Sequence, residues 1–308
     1  MTAPGSSHTR NTSGTVLEVS RRFVTILTDE RTILNGTVSS KTIEAVVGDV
    51  VSFEEREGEI FVTQVAPAAR SLYRSFHGKL KRMGANIDAL LVITATGPTC
   101  NPVVIDRMLV AAQVQKIPTT LVVNKIDLGT AGIEEMLAVY TRIGVRVIQC
   151  SAKHGTGMPE ISALVNEKGV RVLSLCGVSG VGKSTILNKL VPGARTKTGA
   201  VSEKTGQGKQ TTTQPRGYVY DAPDSTQKVI VDLPGVQFFG LSHISSDAAA
   251  AAFPEIREAA QGCRFGDCKH LKEPECSVKE AVSRGDVAQW RYESYRQILE
   301  EIEDAREY

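Results

Sequence analysis

Apolar and polar positions alternate over short distances through residues 14–66. The runs "GTVLEVS", "RFVTILT", "RTILNGTV", "DVVSFEE" and "EIFVTQV" are short and β-like, and Gly, Asp and Asn punctuate them. No helix-length pattern intervenes, so the stretch predicts a small β-barrel, an OB-fold or an SH3-like barrel. Residues 67–88 are basic and weakly patterned and read as a linker. The rhythm then changes. "ALLVIT", "TTLVV", "VRVIQC", "RVLSLC" and "KVIVDL" are continuous apolar strands. Between them lie helical stretches: "NPVVIDRMLVAAQVQKI", with Val104, Met108, Ala111 and Gln115 on one face, then "GIEEMLAVYTRIG" and "MPEISALVNE". That alternation predicts a mostly parallel α/β sheet covered on both faces over 89–240. From 241 to 308 the chain is polar and helical. It ends in a helix whose apolar stripe is Ala288, Tyr292, Tyr295, Leu299 and Ile302, which needs a surface to cover.

Composition narrows the class. The 308 residues are 41% apolar and 23% charged, as in a soluble globular protein, and a net charge of +2 leaves nucleic-acid binding to local basic patches. Residues 1–13 are rich in Ser, Thr and Gly without an apolar block, and read as a disordered tail rather than a signal peptide. The apolar run 89–95 is too short to span a bilayer, so no membrane role is expected. Cys100, Cys150 and Cys176 sit beside strands and read as core thiols. Cys263, Cys268, His270 and Cys276 lie close together in sequence. Three thiolates and an imidazole suffice for closed tetrahedral Zn²⁺, hence one structural zinc in a cytoplasmic protein. Arg264, Lys269, Lys272 and Lys279 around it fit RNA phosphates or a solvated face.

The chemistry is concentrated in the α/β region. "GVSGVGKS" matches G-x-x-x-x-G-K-S/T between a strand and a helix. Gly177, Val178, Ser179, Gly180, Val181 and Gly182 would turn N–H groups toward phosphate oxygens, followed by Lys183, Ser184 and Thr185 at a helix start. Lys183 would neutralise the β- and γ-phosphates and Ser184 would ligate Mg²⁺. "KVIVDLPGV" adds Asp232 at a strand end, suited to Mg²⁺, and Gly235, whose N–H can face the γ-phosphate. The polar segment 205–216 between them offers Thr212 as the Mg²⁺-closing threonine, with Thr211 and Thr213 as alternatives.

Guanine reading is expected from "NKID". Asp127 would accept from N1–H and the 2-amino group, Asn124 would meet the O6/N7 side, and the Lys125 stem would lie along the ring. Ser151, Ala152 and Lys153 after the next strand form the companion loop. A carboxylate left unpaired by adenine discriminates by roughly 10⁴-fold or more. In ordinary GTPases the phosphate loop precedes these base-reading elements, whereas here it follows them. Circular permutation accounts for the order by preserving the sheet and moving the termini. It also joins the DxPG side of the core directly to whatever follows.

With these motifs the chain resembles the circularly permuted, ribosome small-subunit-dependent GTPase A family of ribosome biogenesis GTPases. The resemblance covers the barrel, "RSLYR" and "GANID", NKID, SAK, GVSGVGKST, TTT, DLPGV with FGL, and the Cys/His cluster. It implies an N-terminal OB-fold that binds rRNA, a central permuted GTPase and a C-terminal zinc domain. It also implies late maturation of the 30S subunit through 16S rRNA, with hydrolysis stimulated by that subunit, by a monomer. The rival expectations are an RNA-binding checkpoint module whose hydrolysis only resets occupancy, and a GTPase acting on protein partners without RNA. Two positions depart from the family pattern. Leu233 stands where Ser is common, harmless if it packs inward. Gln210 stands where His often precedes the threonines as a water-positioning residue; Gln210, or alternatively Gln207, is expected to take that role, because Val236 after DxPG cannot.

Overall fold

A computed structural model describes residues 12–76, 79–97, 99–194, 214–234 and 239–305. The first five strands are β1 (Thr12–Ser20), β2 (Phe23–Thr28), β3 (Ile33–Val38), β4 (Val50–Arg56) and β5 (Glu59–Val65). They pair in the order β1-β2-β3-β5-β4 and close through β4–β1. Only β3–β5 is parallel. This is the five-stranded OB barrel, which settles the choice against an SH3-like one. Alternate residues Val16, Val24, Ile26, Val38, Val51, Phe53 and Val62 fill its interior. Thr12 and Ser13, which composition places in the tail, already pair with Phe53 and Ser52.

The segment 67–88 corrects its reading as a linker. It holds an antiparallel hairpin, β6 (Ser71–Phe76) and β7 (Lys79–Ala85). Leu72 and Met83 are buried, and Arg82 forms a 2.6 Å ion pair with Asp49 inside the barrel wall. Burial pushes the Asp49 carboxyl up, and Arg82 and the Val46 N–H oppose that shift. The basic residues that suggested a solvated connection are partly spent on this internal contact.

The second half of the sheet comprises β8 (Ala89–Ala95), β9 (Thr119–Asn124), β10 (Arg146–Gln149), β11 (Val172–Cys176), β12 (Arg216–Asp221) and β13 (Gln227–Asp232). Their order is β10-β9-β8-β11-β13-β12, parallel except for β12. The weakly alternating "RGYVYD" gave no sequence signal for β12. That strand also touches the barrel, where Glu18 of β1 pairs with Arg216. Helices α1 (Pro102–Val114) and α2 (Glu134–Arg142) cover one face, while α3 (Met158–Asn166) and α4 (Lys183–Leu190) cover the other.

Four helices follow: α5 (Ser246–Ala251), α6 (Pro254–Ala260), α7 (Ser277–Arg284) and α8 (Gln289–Asp304). Helix α8 lays Tyr295, Leu299 and Ile302 inward as its stripe predicted, together with Ile298. Burying each such aliphatic side chain contributes roughly 1.5–3 kcal/mol relative to exposure. The surface it covers is α1, through a buried polar lock that periodicity did not reveal. Arg291 meets Asp106 at 2.5 Å and Glu255 at 2.6 Å, stacks 4.3 Å from the Phe253 ring centroid, and Tyr140 donates to Asp106 at 2.7 Å.

Candidate nucleotide site and metal centre

The phosphate loop leaves β11, the fully buried strand flanked by β8 and β13. Gly182 is required by space and by conformation: at φ 97° a Cβ would lie 2.2 Å from Asn124 Nδ2. Lys183 opens α4, is mostly buried, and donates from Nζ to Gly177 O at 2.8 Å and Val178 O at 3.2 Å. Ser179 and Gly180 face solvent at the loop's tip. Ser184 and Thr185 follow in the first turn of α4, where unsatisfied N–H groups and the helix dipole favour anions.

On the adjacent parallel strand β13, Asp232 stands in register with Leu175, just before the loop, and is 2% exposed. Leu233 donates its N–H to Leu175 O at 3.0 Å and is buried, so the position where Ser is common is filled here as core. Gln207, Gln210, Thr211, Thr212, Thr213, Gly235 and Val236 lie outside the described residues.

The base-reading loops end β9 and β10, two strands of the same sheet edge. Asn124 is 2% exposed, accepting from Ala152 N at 3.0 Å and donating to Val181 O at 2.9 Å. Its amide ties the phosphate loop to both base loops and keeps a second N–H donor for the O6/N7 side of guanine. Lys125 adopts a left-handed φ of 62°, and its carbonyl accepts from Thr96 Oγ1 at 3.0 Å. Asp127 is exposed at the tip and accepts from Ser151 Oγ at 2.5 Å. That hydroxyl holds the Asp127 carboxyl below the usual carboxylate range. Ala152 is buried beneath the site, whereas Lys153 is exposed beside it. Two further residues escaped sequence reading. Thr96 carries no motif, and His154, which directly follows Ser-Ala-Lys, brings Nε2 to 3.7 Å from Asp127 Oδ2.

Toward the end of the chain the four candidate metal ligands converge. The Cys263, Cys268 and Cys276 sulfurs and a His270 ring nitrogen all lie within 4.8 Å of one another. Cys263 Sγ is 4.0 Å from Cys276 Sγ, and His270 Nδ1 is 3.5 Å and 3.4 Å from those two sulfurs. Tetrahedral zinc with bonds of about 2.3 Å to sulfur and 2.0–2.1 Å to nitrogen has ligand–ligand edges of roughly 3.5–3.8 Å. The donor set and its spacing therefore fit the ion. Two residues of α8 hold the loop from outside: Tyr292 donates to His270 O at 2.6 Å, and Tyr295 to Lys269 O at 3.1 Å.

Comparison with known proteins agrees with this geometry. The family model described as RsgA GTPase matches residues 65–242. A protein of Porphyromonas gingivalis W83 named small ribosomal subunit biogenesis GTPase RsgA is 41% identical over 232 residues, covering 73% of this chain and 72% of its own. Its namesake in Actinobacillus succinogenes is 33% identical over 271 residues, covering 85% and 76%. The crystal structure of YjeQ from Thermotoga maritima aligns with a TM-score of 0.72 at 26% identity over 95% of this chain and 98% of that one. YloQ, titled a circularly permuted GTPase, aligns at 0.67 with 23% identity over 98% of both chains, a likeness of fold alone.

Proposed function

The chain belongs to the RsgA GTPase family, and we propose that it hydrolyses GTP in the late maturation of the small ribosomal subunit. The observation that carries the nucleotide reading is the pair of hydrogen bonds made by Asn124. They draw the NKID loop, the SAK loop and the phosphate loop into one site although the chain visits them in permuted order. In that site Asp127 reads the guanine N1–H and 2-amino group, and the Lys125 stem covers the ring. The backbone of 177–182 and Lys183 hold the β- and γ-phosphates.

Ser184 and Asp232, with Thr212 as the third, would hold Mg²⁺ through hard oxygen donors, and the ion would supply neutralisation of phosphate charge. Gln210, or in its place Gln207, orients the attacking water through its amide. Cys263, Cys268, His270 and Cys276 would hold a zinc ion in a structural role, since four protein ligands would leave no open position for chemistry. The protein works as a cytoplasmic monomer. Its OB barrel and zinc domain grip 16S rRNA on either side of the GTPase, so that 30S docking stimulates hydrolysis.

Base choice tests the nucleotide reading. Asp127→Asn should weaken GTP and favour xanthosine triphosphate, because an amide can donate to the xanthine 2-oxo group. Competition binding of the two triphosphates is the measurement. An unchanged preference for GTP would remove NKID from the base site.

A further inference from the structure

Strand β8 runs parallel to β9, and its last paired residue, Ala95, stands opposite Asn124. One residue on, the Thr96 N–H still donates to Asn124 O at 3.1 Å, as a continuing ladder would. There the strand pairing ends, and the Thr96 side chain makes the next bond instead, its hydroxyl donating to Lys125 O at 3.0 Å. Thr96 thus grips both peptide units that flank the Lys125 Cα. The loop that carries it is tied to itself: Thr94 Oγ1 donates to Thr99 O at 3.2 Å, and the Cys100 N–H to Gly97 O at 3.0 Å.

Lys125 needs such a grip. It stands at φ 62° and ψ 33°, in the left-handed region that residues with a Cβ seldom occupy. A conformation of this kind persists where its surroundings over-determine it. The Lys125 carbonyl also accepts from the Leu128 N–H at 3.0 Å, and the Ile126 N–H donates to Cys150 O at 3.2 Å. The φ and ψ of Lys125 set where the chain goes next, and so the direction in which Asp127, two residues on, presents its carboxylate. Ser151 orients that carboxylate from its own hydroxyl at 2.5 Å. Thr96 acts one step earlier, on the main chain that carries it.

We propose that Thr96 is a positioning residue for guanine recognition: by holding the left-handed Lys125 peptide it aims Asp127 at the N1–H and 2-amino edge of the base. This rests on the guanine reading above. The Asn124 bond to the phosphate loop does not pass through Thr96. Loss of the hydroxyl should therefore fall on base discrimination and leave hydrolysis of bound GTP alone.

The full chain is compared with Thr96→Val, which keeps the shape and removes the hydroxyl, and with Thr96→Ser, which keeps the hydroxyl. Thr96→Ala carries the same reading should the valine variant not fold. Affinities for GDP and inosine diphosphate are measured by calorimetry, and hydrolysis of saturating GTP in a single turnover. Inosine lacks the 2-amino group, so the ratio of the two affinities reads the Asp127 contact while phosphate and ring contacts cancel. Thr96→Val and Thr96→Ala should bind GDP roughly three- to tenfold more weakly, the effect of one lost hydrogen bond, with most of that factor appearing in the ratio. Thr96→Ser should stay within about twofold of the parent, and the saturated hydrolysis rate should do so in every variant, as expected when only binding is lost. In an Asp127→Ala background, Thr96→Val should leave the already lowered ratio unchanged. A parent-like ratio in Thr96→Val and Thr96→Ala, whatever happens to GDP affinity itself, would make the residue merely structural and overturn the proposal. So would a Thr96→Ser variant as weak as Thr96→Val. A parent protein that binds GDP and inosine diphosphate equally would instead overturn the guanine reading beneath it.

Discussion

Ser151 donates to Asp127 Oδ1 at 2.5 Å, and this hydroxyl, first among several smaller influences, lowers the carboxyl's proton affinity. Only the ionised carboxylate can accept both guanine donors, so base reading is lost as pH falls through the depressed folded value. Removing the hydroxyl should raise that value toward the ordinary carboxylate range and move the acid limb of GTP binding upward in pH. Carbon NMR of the Asp127 carboxyl in Ser151→Ala checks this directly. A titration midpoint equal to the parent's would assign the shift to another neighbour. At this scale the sequence was informative about identity and less so about role. NKID and SAK named Asp127 and Ser151, but spacing gave no sign that the Asn124 amide also ties the loops together, as burial at a strand end makes backbone partners obligatory.

The C-terminal helices depend on two unlike devices. One is the Cys/His cluster, which with zinc bound would give a segment with few large apolar side chains a centre to fold around. Freshly purified protein should carry about one zinc per chain. Cys268→Ser should lower that content and loosen α6 and α7 to hydrogen exchange, while GDP affinity stays nearly unchanged. Zinc-free protein with the same protection pattern would contradict it. The other device is the Arg291–Asp106–Glu255–Tyr140 lock between α8 and α1. Its legibility differed sharply from that of the cluster. Metal ligands announce themselves by spacing along the chain, whereas Asp106 and Arg291 are far apart in sequence and look like ordinary surface charges. The hairpin β6–β7 was obscured for a related reason: its few buried residues, Leu72 and Met83 among them, are interrupted by basic ones. Strands β1 to β5, short apolar runs rich in β-branched residues with turn residues between them, were plain.

Across the whole molecule, permutation places the DxPG element at the junction between the GTPase sheet and the zinc domain, while the barrel joins the sheet through β1 and β12 and the hairpin touches Gly240. In the proposed function this joins the hydrolytic side of the core, along the chain, to the C-terminal segment proposed to grip a partner. That partner could be named from the sequence only through family resemblance, since a net charge of +2 and scattered basic residues do not single out an RNA. With Val236 after DxPG, the free protein should turn over well below the ~1 s⁻¹ lower end of typical enzymes. The most direct test is the GTPase rate of the full chain alone and with added 30S, 50S or 70S particles. The account predicts strong stimulation by 30S, largely lost in Gln210→Ala and retained in Gln210→His, with little effect of 50S. A rate that 30S leaves unchanged, or that 50S raises equally, would contradict it.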